Sequence, residues 1–506
     1  MTRESSRASS SSADRRARGA GARGASPSAP SPDSPSRPLL PPLKHHTAQH
    51  IEHYGAVDDD AGESRITVHD AVFGDLEDGG PDYRGVTPAG AFVLMAKANF
   101  GLGVLAIPSV FDKLGLLPGI AAIVGIQAMY TWSASFIGPF KIAHPEVYSL
   151  GDAAYVFAGK RGKEFFGLMF IVFFVFCAAA ALVGVSVGLN AVTSHGACTA
   201  LFVALAAVVG WALSSIRTLS DVSWVGWAGL VSILSAVITL TVAVATQDRP
   251  ASAPPHGAWD KNFKLVGHPS FVETMGALNV ILFSSASSPI YYGIVSEMKD
   301  PHKFTKPVLS TYAFLTSFYV VVGSVVYFFC GQYVASPALG SAGLFLKKVC
   351  YGLALPGLCA SLTIFNHVSA KVIFVRLLSG TRHLAANTTR HWATWLGCTF
   401  GAMLAAYLIA SAIPIFSSLI ELSGAIFCPI TAIAPMILGW NHDHIWAKRD
   451  TALSRRERAT AAINTLILVL CVFLTVAGVY AAVVDLFRET KFTRPWSCEN
   501  NSGPVA

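Results

Sequence analysis

The chain has 506 residues, 53% of them hydrophobic and only 13% charged, against about 25% charged in an ordinary soluble domain. That balance excludes an array of soluble domains over most of the length. A net charge of +7 does not point to nucleic acid either, because much of the Lys and Arg lies in short loops between apolar runs, where it sets membrane topology.

Residues 1–87 open with "MTRESSRASSSSADRRARGAGARGASPSAPSPDSPSRPLLPP". The stretch has no apolar run of the kind a signal peptide needs, and it is rich in Ser, Arg, Pro and Gly. It cannot bury a core and is expected to be a disordered cytosolic tail, together with the acidic "VDDDAGESR" to "GDLEDGG" segment that follows. "SRPLLPP" lacks the acidic residue that usually precedes a dileucine sorting signal, so chance explains it better.

Residues 88–487 read as an all-α transmembrane domain of about eleven spans, each near the length a bilayer demands. They run Ala89–Val110, Leu116–Ile137, Phe166–Leu189, Cys198–Ser215, Val222–Thr246, Phe271–Ile294, Val308–Gly331, Cys350–Val375, Trp392–Ala412, Pro414–Trp440 and Ile463–Phe487. The ninth and tenth are divided only by the turn around Pro414. With the N-terminus in the cytosol, inner loops carry about sixteen Lys or Arg and outer loops about six, the bias expected of an inside-positive topology. An odd number of spans leaves residues 488–506 as an extracellular or lumenal tail. There Asn500, in "ENNS", is a glycosylation acceptor, whereas the "NTT" at Asn387 falls on the cytosolic side and is expected to be unused. The nine cysteines show no CxxC pair and fall mostly within apolar runs, so they read as small buried residues. No metal and no cofactor are expected, and oligomeric state is not legible.

Two spans carry deliberate weaknesses. The first contains "AKANFGLGVLAIP", with Gly101, Gly103 and Pro108; the sixth contains "FSSASSPIYY", with four serines and Pro289. Small residues alone would read as close helix packing. These two breaks, however, occupy corresponding places in two five-helix halves, the pattern that points to an inverted-repeat transporter with a midplane site. A broken helix exposes N–H groups at one half-helix start, which attract a carboxylate, and carbonyls at the other end, which suit an ammonium group or a cation. Together they complement an amino acid zwitterion.

"AKANFGLGVLAIPSVFDKLGLLPGI" resembles the first-helix signature of the amino acid/auxin permease family, through Asn99, Gly101, Gly103, Leu105, Pro108, Gly115 and Gly119. "SEMKDPHKF", "RTLSDVSWVGWAGLVSIL" and "SSLIELSGAIFCPITAIAPMIL" are similar to three further segments of that family, in order, so the resemblance spans about residues 88–487. It implies a LeuT-type fold of ten core helices, arranged as a five-plus-five inverted repeat, with an eleventh helix appended. It also implies secondary transport of an amino acid. Carried over by position, Asn99, Phe100, Gly101, Leu102, Gly103 and Val104 would face the substrate carboxylate; Phe283, Ser284, Ser285, Ala286, Ser287 and Ser288 would face its amino group and side chain. The "KANFGLG" form is closest to the proton-coupled branch, making a proton the expected coupling ion. Relatives in that branch carry a glutamate in the sixth-helix break where this chain has Ala286.

Formal charges inside spans are candidates for coupling. Lys97 reads equally as functional or as snorkelling to the cytosolic side. Lys371 reads as snorkelling, with His367 one turn deeper as a hydrogen-bonded interior residue. Glu421 has no short route to water and reads as functional or as half of a buried pair. Uncoupled exchange and a transport-dead amino acid sensor on the same fold remain alternatives, and a channel would need a polar stripe that no span shows. With no HExxH, GxSxG or loop His/Asp cluster, an enzyme is not expected. Plasma membrane and vacuolar or lysosomal membrane fit equally.

Overall fold

A computed structural model describes residues 54–57, 65–70, 74–76, 85–216, 219–254, 256–378, 381, 383, 388–448, 452–489 and 495–503. Asn387 and residues 1–53 lie outside the described residues. Three short strands, β1 (Tyr54–Val57), β2 (Arg65–Asp70) and β3 (Gly74–Leu76), form an antiparallel meander. They fall in the stretch expected to be unstructured tail.

The membrane domain is helical. Its sixteen α-helices are α1 (Pro88–Asn99), α2 (Leu102–Leu114), α3 (Leu116–Ser135), α4 (Ile137–Ala143), α5 (Leu150–Thr193), α6 (Thr199–Ser214), α7 (Leu219–Thr246), α8 (Phe271–Ser284), α9 (Tyr291–Ser296), α10 (Thr305–Cys330), α11 (Leu344–Leu378), α12 (Thr389–Ala412), α13 (Phe416–Ile426), α14 (Cys428–Ala432), α15 (Ala434–Asn441) and α16 (Arg455–Glu489). Eight helical segments are long and apolar enough to cross a bilayer, two further pairs are bent spans, and the 16-residue α6 is a shorter apolar helix. Ten of the eleven expected spans correspond to these helices and bent pairs, and the fourth, Cys198–Ser215, to the shorter α6.

Local chemistry sets the boundaries. Thr87 caps α1 by accepting from the Gly90 N–H at 3.1 Å, with Pro88 in the first turn. Ser149 with Asp152, and Ser270 with Glu273, form capping boxes that start α5 and α8. The helix start at Leu150 extends the third span well before the expected Phe166. The helix kinks at Gly159, whose φ of 62° is a left-handed conformation that favours glycine. The ninth and tenth spans part at Ile413–Ile415, around Pro414, as expected.

Helix α8 runs through the middle, packed against α2, α13 and α16. Close approach is possible because its neighbours carry glycines at the contacts: a Cβ on Gly424 of α13 would lie 2.1 Å from the Asn279 carbonyl oxygen. A second group centres on α11, which packs against α5, α6, α7 and α12.

Two cysteines depart from the expectation of buried helix residues. Cys198, just before α6, is disulfide-bonded to Cys498 in the C-terminal tail. Polar contacts seat the tail beside this bond: the Thr199 hydroxyl donates to the Glu499 carbonyl at 2.7 Å, and the Asn501 side chain joins Ser186 and Asn190 at 3.0 and 2.8 Å. The other seven cysteines are free. Maleimide labelling of the denatured chain is therefore expected to modify seven sites before reduction and all nine after it. Nine labels without reductant would show the bond does not form.

Candidate functional site

The first span is interrupted at Phe100 and Gly101, where α1 and α2 meet at a bend of 59°. Phe100 is extended (φ −78°, ψ 98°), and Gly101 leads into α2 without a side-chain cap. The first N–H groups of α2 therefore have no partner in their own helix, and the last carbonyls of α1 are freed likewise. The sixth span breaks after Ser284; a short 3₁₀ turn, Ser288–Ile290, links α8 to α9. The two interruptions lie side by side, as a Cβ on Gly103 would stand 2.4 Å from the Ser284 Cα.

Freed backbone groups deep in a bilayer need partners, and tyrosines supply them. The Tyr130 hydroxyl donates to the Leu282 carbonyl at 2.8 Å, and the Tyr319 hydroxyl donates to the Ser284 carbonyl at 2.7 Å. Asn99 ties the two breaks together: its Nδ2 donates to the Met95 carbonyl at 2.9 Å and to the Tyr291 hydroxyl at 3.0 Å. Tyr291 also accepts from Ser287 at 3.0 Å. Because the Met95 carbonyl can only accept, the Asn99 amide orientation is settled, and its other atom, Oδ1, is an acceptor. That oxygen is buried with no hydrogen-bond partner among the described residues.

Between the breaks lies a cavity of about 30 Å³. That holds roughly two waters, so the site is nearly collapsed. Of the residues predicted from sequence, Asn99, Gly101, Leu102, Gly103, Phe283, Ser284, Ala286 and Ser287 line it; Phe100, Val104, Ser285 and Ser288 do not. Phe100 instead packs on Phe314 and Phe318, with centroids 5.4 and 4.8 Å away. Ser288 donates to the Ala432 carbonyl at 2.6 Å. The remaining lining includes Phe173, Phe174 and Cys177 of α5 and Phe365 of α11, which sequence reasoning missed. The cavity is thus polar along the broken backbones and aromatic opposite them.

Polar contacts stand near both ends of the first span. At one end Glu421 of α13 is 3% exposed and pairs with Lys113 of α2 at 2.7 Å. Glu421 is thus half of an ion pair, in line with its sequence reading as functional or paired, and Lys113 is 25% exposed. At the other end Val86, just before α1, makes a parallel bridge with Met298: its N–H donates to Glu297 and its carbonyl accepts from Lys299, both at 3.0 Å. Burial raises the Glu297 carboxyl above its ordinary value, opposed by the Tyr148 hydroxyl and by the Lys371 charge acting on it. Lys371 is thus within electrostatic reach of the loop after the sixth span. His367 is fully buried, its Nδ1 3.2 Å from the Ser214 carbonyl and its ring 5.1 Å from Trp395. Lys97 reaches across to α7, where its Nζ occupies the space that a Cβ on Gly226 would need. Neither His367 nor Lys97 lines the cavity.

Residues 84–484 match the sequence profile of the family described as transmembrane amino acid transporter protein. A "Transmembrane transporter" of Gibberella moniliformis is 35% identical over 452 residues, covering 88% of this chain and 93% of that protein. An "N amino acid transport system protein" of Neurospora crassa is 28% identical over 416 residues, covering 80% and 86%. Among solved structures, MhsT in complex with L-phenylalanine aligns with a TM-score of 0.50 at 12% identity, over 76% of this chain and 98% of that one. Inward-facing Mhp1 also aligns at 0.50, with 11% identity over 84% and 97%. At such identities the likeness is one of fold, and the fold is LeuT-type.

The two glycines of the first break differ in what they allow. A Cβ on Gly101 would meet only the Ser361 hydroxyl, at 3.1 Å, and its backbone is not left-handed. On Gly103 it would meet the Ser284 backbone. Gly103→Ala is expected to lose about 1–3 kcal/mol of stability through overpacking, and Gly101→Ala far less. Chemical or thermal unfolding of the purified variants measures the difference; equal losses would refute the close crossing of α2 and α8.

Proposed function

Because this chain belongs to the transmembrane amino acid transporter protein family, we propose that it carries a small, largely apolar amino acid across a membrane by alternating access. The cavity between the two helix breaks is its substrate site. One observation carries the reading. The uncapped start of α2 and the unpaired Asn99 Oδ1 border the same buried space. The N–H groups of residues 102–104 suit a carboxylate, at the positive end of a helix. Asn99 Oδ1 suits an ammonium group, so Asn99 serves the amino end of the substrate rather than its carboxylate. Phe173, Phe174, Phe283 and Phe365 line the same space and suit an apolar side chain of modest size once the nearly collapsed site expands around it.

On this reading the structure is an occluded state, shut by the Lys113–Glu421 pair at one end and the Val86–Met298 bridge at the other. The proposed coupling ion is a proton. Neutralising Glu421 removes one partner of the ion pair that joins α2 to α13, so protonation and opening at that end become the same event. Radiolabelled amino acid uptake into proteoliposomes, with counterflow, tests the carrier directly; binding without flux would make the protein a sensor. Uptake is expected to rise several-fold as outside pH falls from about 7.5 to 5.5, and Glu421→Gln to flatten that slope. Strict sodium dependence would sink the proton assignment, and a response to preloaded amino acid without any pH effect would favour exchange.

For orientation, we place the disulfide end outside or in a lumen, since disulfides persist in oxidising compartments. The basic loops then lie in the cytosol. Asn500 sits two residues beyond Cys498, in a tight turn where its Oδ1 accepts from the Ser502 N–H and hydroxyl at 2.9 and 2.8 Å. In a eukaryotic host the protein is expected to lose mass on endoglycosidase treatment, and Asn500→Gln to abolish that shift. A shift that persists in the variant would move the glycan elsewhere.

A further inference from the structure

At the end of the molecule that carries the Val86–Met298 bridge, three side chains of metal-ligating type converge, none of them lining the cavity. His144 follows α4. His442 and Asp443 open a π-helical turn, His442–Trp446, that continues α15. His144 Nε2 and His442 Nδ1 each lie 2.9 Å from the same Asp443 oxygen, Oδ1. All three ligand atoms fall within 4.8 Å of one another. The side chains are 21%, 28% and 20% exposed, which leaves them held in place yet reachable from water.

Their surroundings fit ligation. The second nitrogen of His144, Nδ1, faces Glu146 Oε1 at 3.8 Å. A metal-bound imidazole commonly keeps a carboxylate on its far side to orient the ring and raise its basicity. The His144 ring also rests on Phe140, with centroids 4.6 Å apart. The π-turn is closed by the Ala447 N–H donating to the His442 carbonyl at 2.9 Å, a five-residue span. Such wide turns are uncommon and concentrate at functional positions.

We propose that His144, His442 and Asp443 form a binding site for a divalent transition-metal cation of the zinc class, bridging the end of the second span to the end of the tenth. Two imidazole nitrogens and one carboxylate oxygen select Zn²⁺, Ni²⁺ or Co²⁺ over Mg²⁺ and Ca²⁺, which prefer all-oxygen sites. Ligand bonds of about 2.0–2.2 Å call for donor separations a little over 3 Å, so only a small inward movement of one ring completes the set. Water completes the coordination. The chain spacing shows none of this, since His144 and Asp443 are 299 residues apart.

The test uses full-length protein in detergent, stripped of metal and titrated with Zn²⁺ by calorimetry. Co²⁺ provides an optical probe through its visible absorption. One equivalent is expected to bind saturably, with His144→Gln, His442→Gln and Asp443→Asn each weakening it by at least about tenfold. His444→Ala is the control. That ring stacks on Trp440 at 4.5 Å and does not belong to the cluster, so binding should be unchanged. Unfolding curves in metal-free buffer establish that each variant is folded, and added Zn²⁺ should raise the wild-type Tm but not that of Asp443→Asn. The proposal is overturned if the wild type shows no saturable equivalent. It is equally overturned if binding survives in all three folded variants, which would make Asp443 only a hydrogen-bonded clasp between two histidines.

Discussion

In hydrocarbon, an unpaired backbone amide is too costly to leave alone, and most of this architecture follows from that constraint. A chain that breaks two helices in the bilayer must find partners for the groups it frees. It does so with Tyr130 and Tyr319, which cap carbonyls at the end of α8, and with the Asn99–Tyr291–Ser287 chain that links the breaks. Two of these hydroxyls cap carbonyls at the end of α8. The N–H side, at the start of α2, has no such side chain.

The same constraint explains the glycines. Tyrosine hydroxyls reach the α8 carbonyls only if α8 sits deep among its neighbours, and it sits deep because residues with no side chain face it. Gly103 and Gly424 both meet α8 backbone so closely that any Cβ would collide, and Gly478 of α16 meets the Asn279 side chain in the same way. Packing of this kind supplies the cohesion that a hydrophobic effect between helices cannot supply in lipid.

Much of the fold was legible in the sequence, because span length and loop charge are local properties that the bilayer enforces. The breaks were legible too, since glycine and proline act on their own backbone: Gly101 and the "SSASSP" run stand where the helices part. What could not be read were pairings across the chain. Glu421 and Lys113 are 308 residues apart, and Cys198 and Cys498 are 300 apart; nothing local marks either as a partner. The aromatic wall was hidden for another reason. Phe173 and Phe174 sit in an apolar run where every face looks alike, so periodicity cannot tell which side meets the cavity. Conversely, Phe100, Val104, Ser285 and Ser288 are adjacent to lining residues in sequence. Two of these side chains are committed elsewhere, Phe100 to Phe314 and Phe318 and Ser288 to the Ala432 carbonyl, and adjacency in sequence does not show this.

The closures at the two ends are unlike in kind, and that difference bears on how the proposed cycle would run. The Lys113–Glu421 contact joins two charged side chains on α2 and α13, and a proton, salt or a competing charge can weaken it. The Val86–Met298 bridge is made of backbone hydrogen bonds alone, which no change of protonation touches. Its release has to come from movement of α1 or of the loop after α9. Helix α1 can move separately from α2 because the 59° break between them holds no continuous hydrogen-bond ladder. Helices α2 and α8, by contrast, are locked together where Gly103 crosses Ser284. On the proposed cycle, one end would open by breaking an ion pair and the other by swinging a half-helix, around the α2–α8 crossing as a fixed centre. A carrier needs this division, because a site whose two doors shared one latch would open to both sides at once.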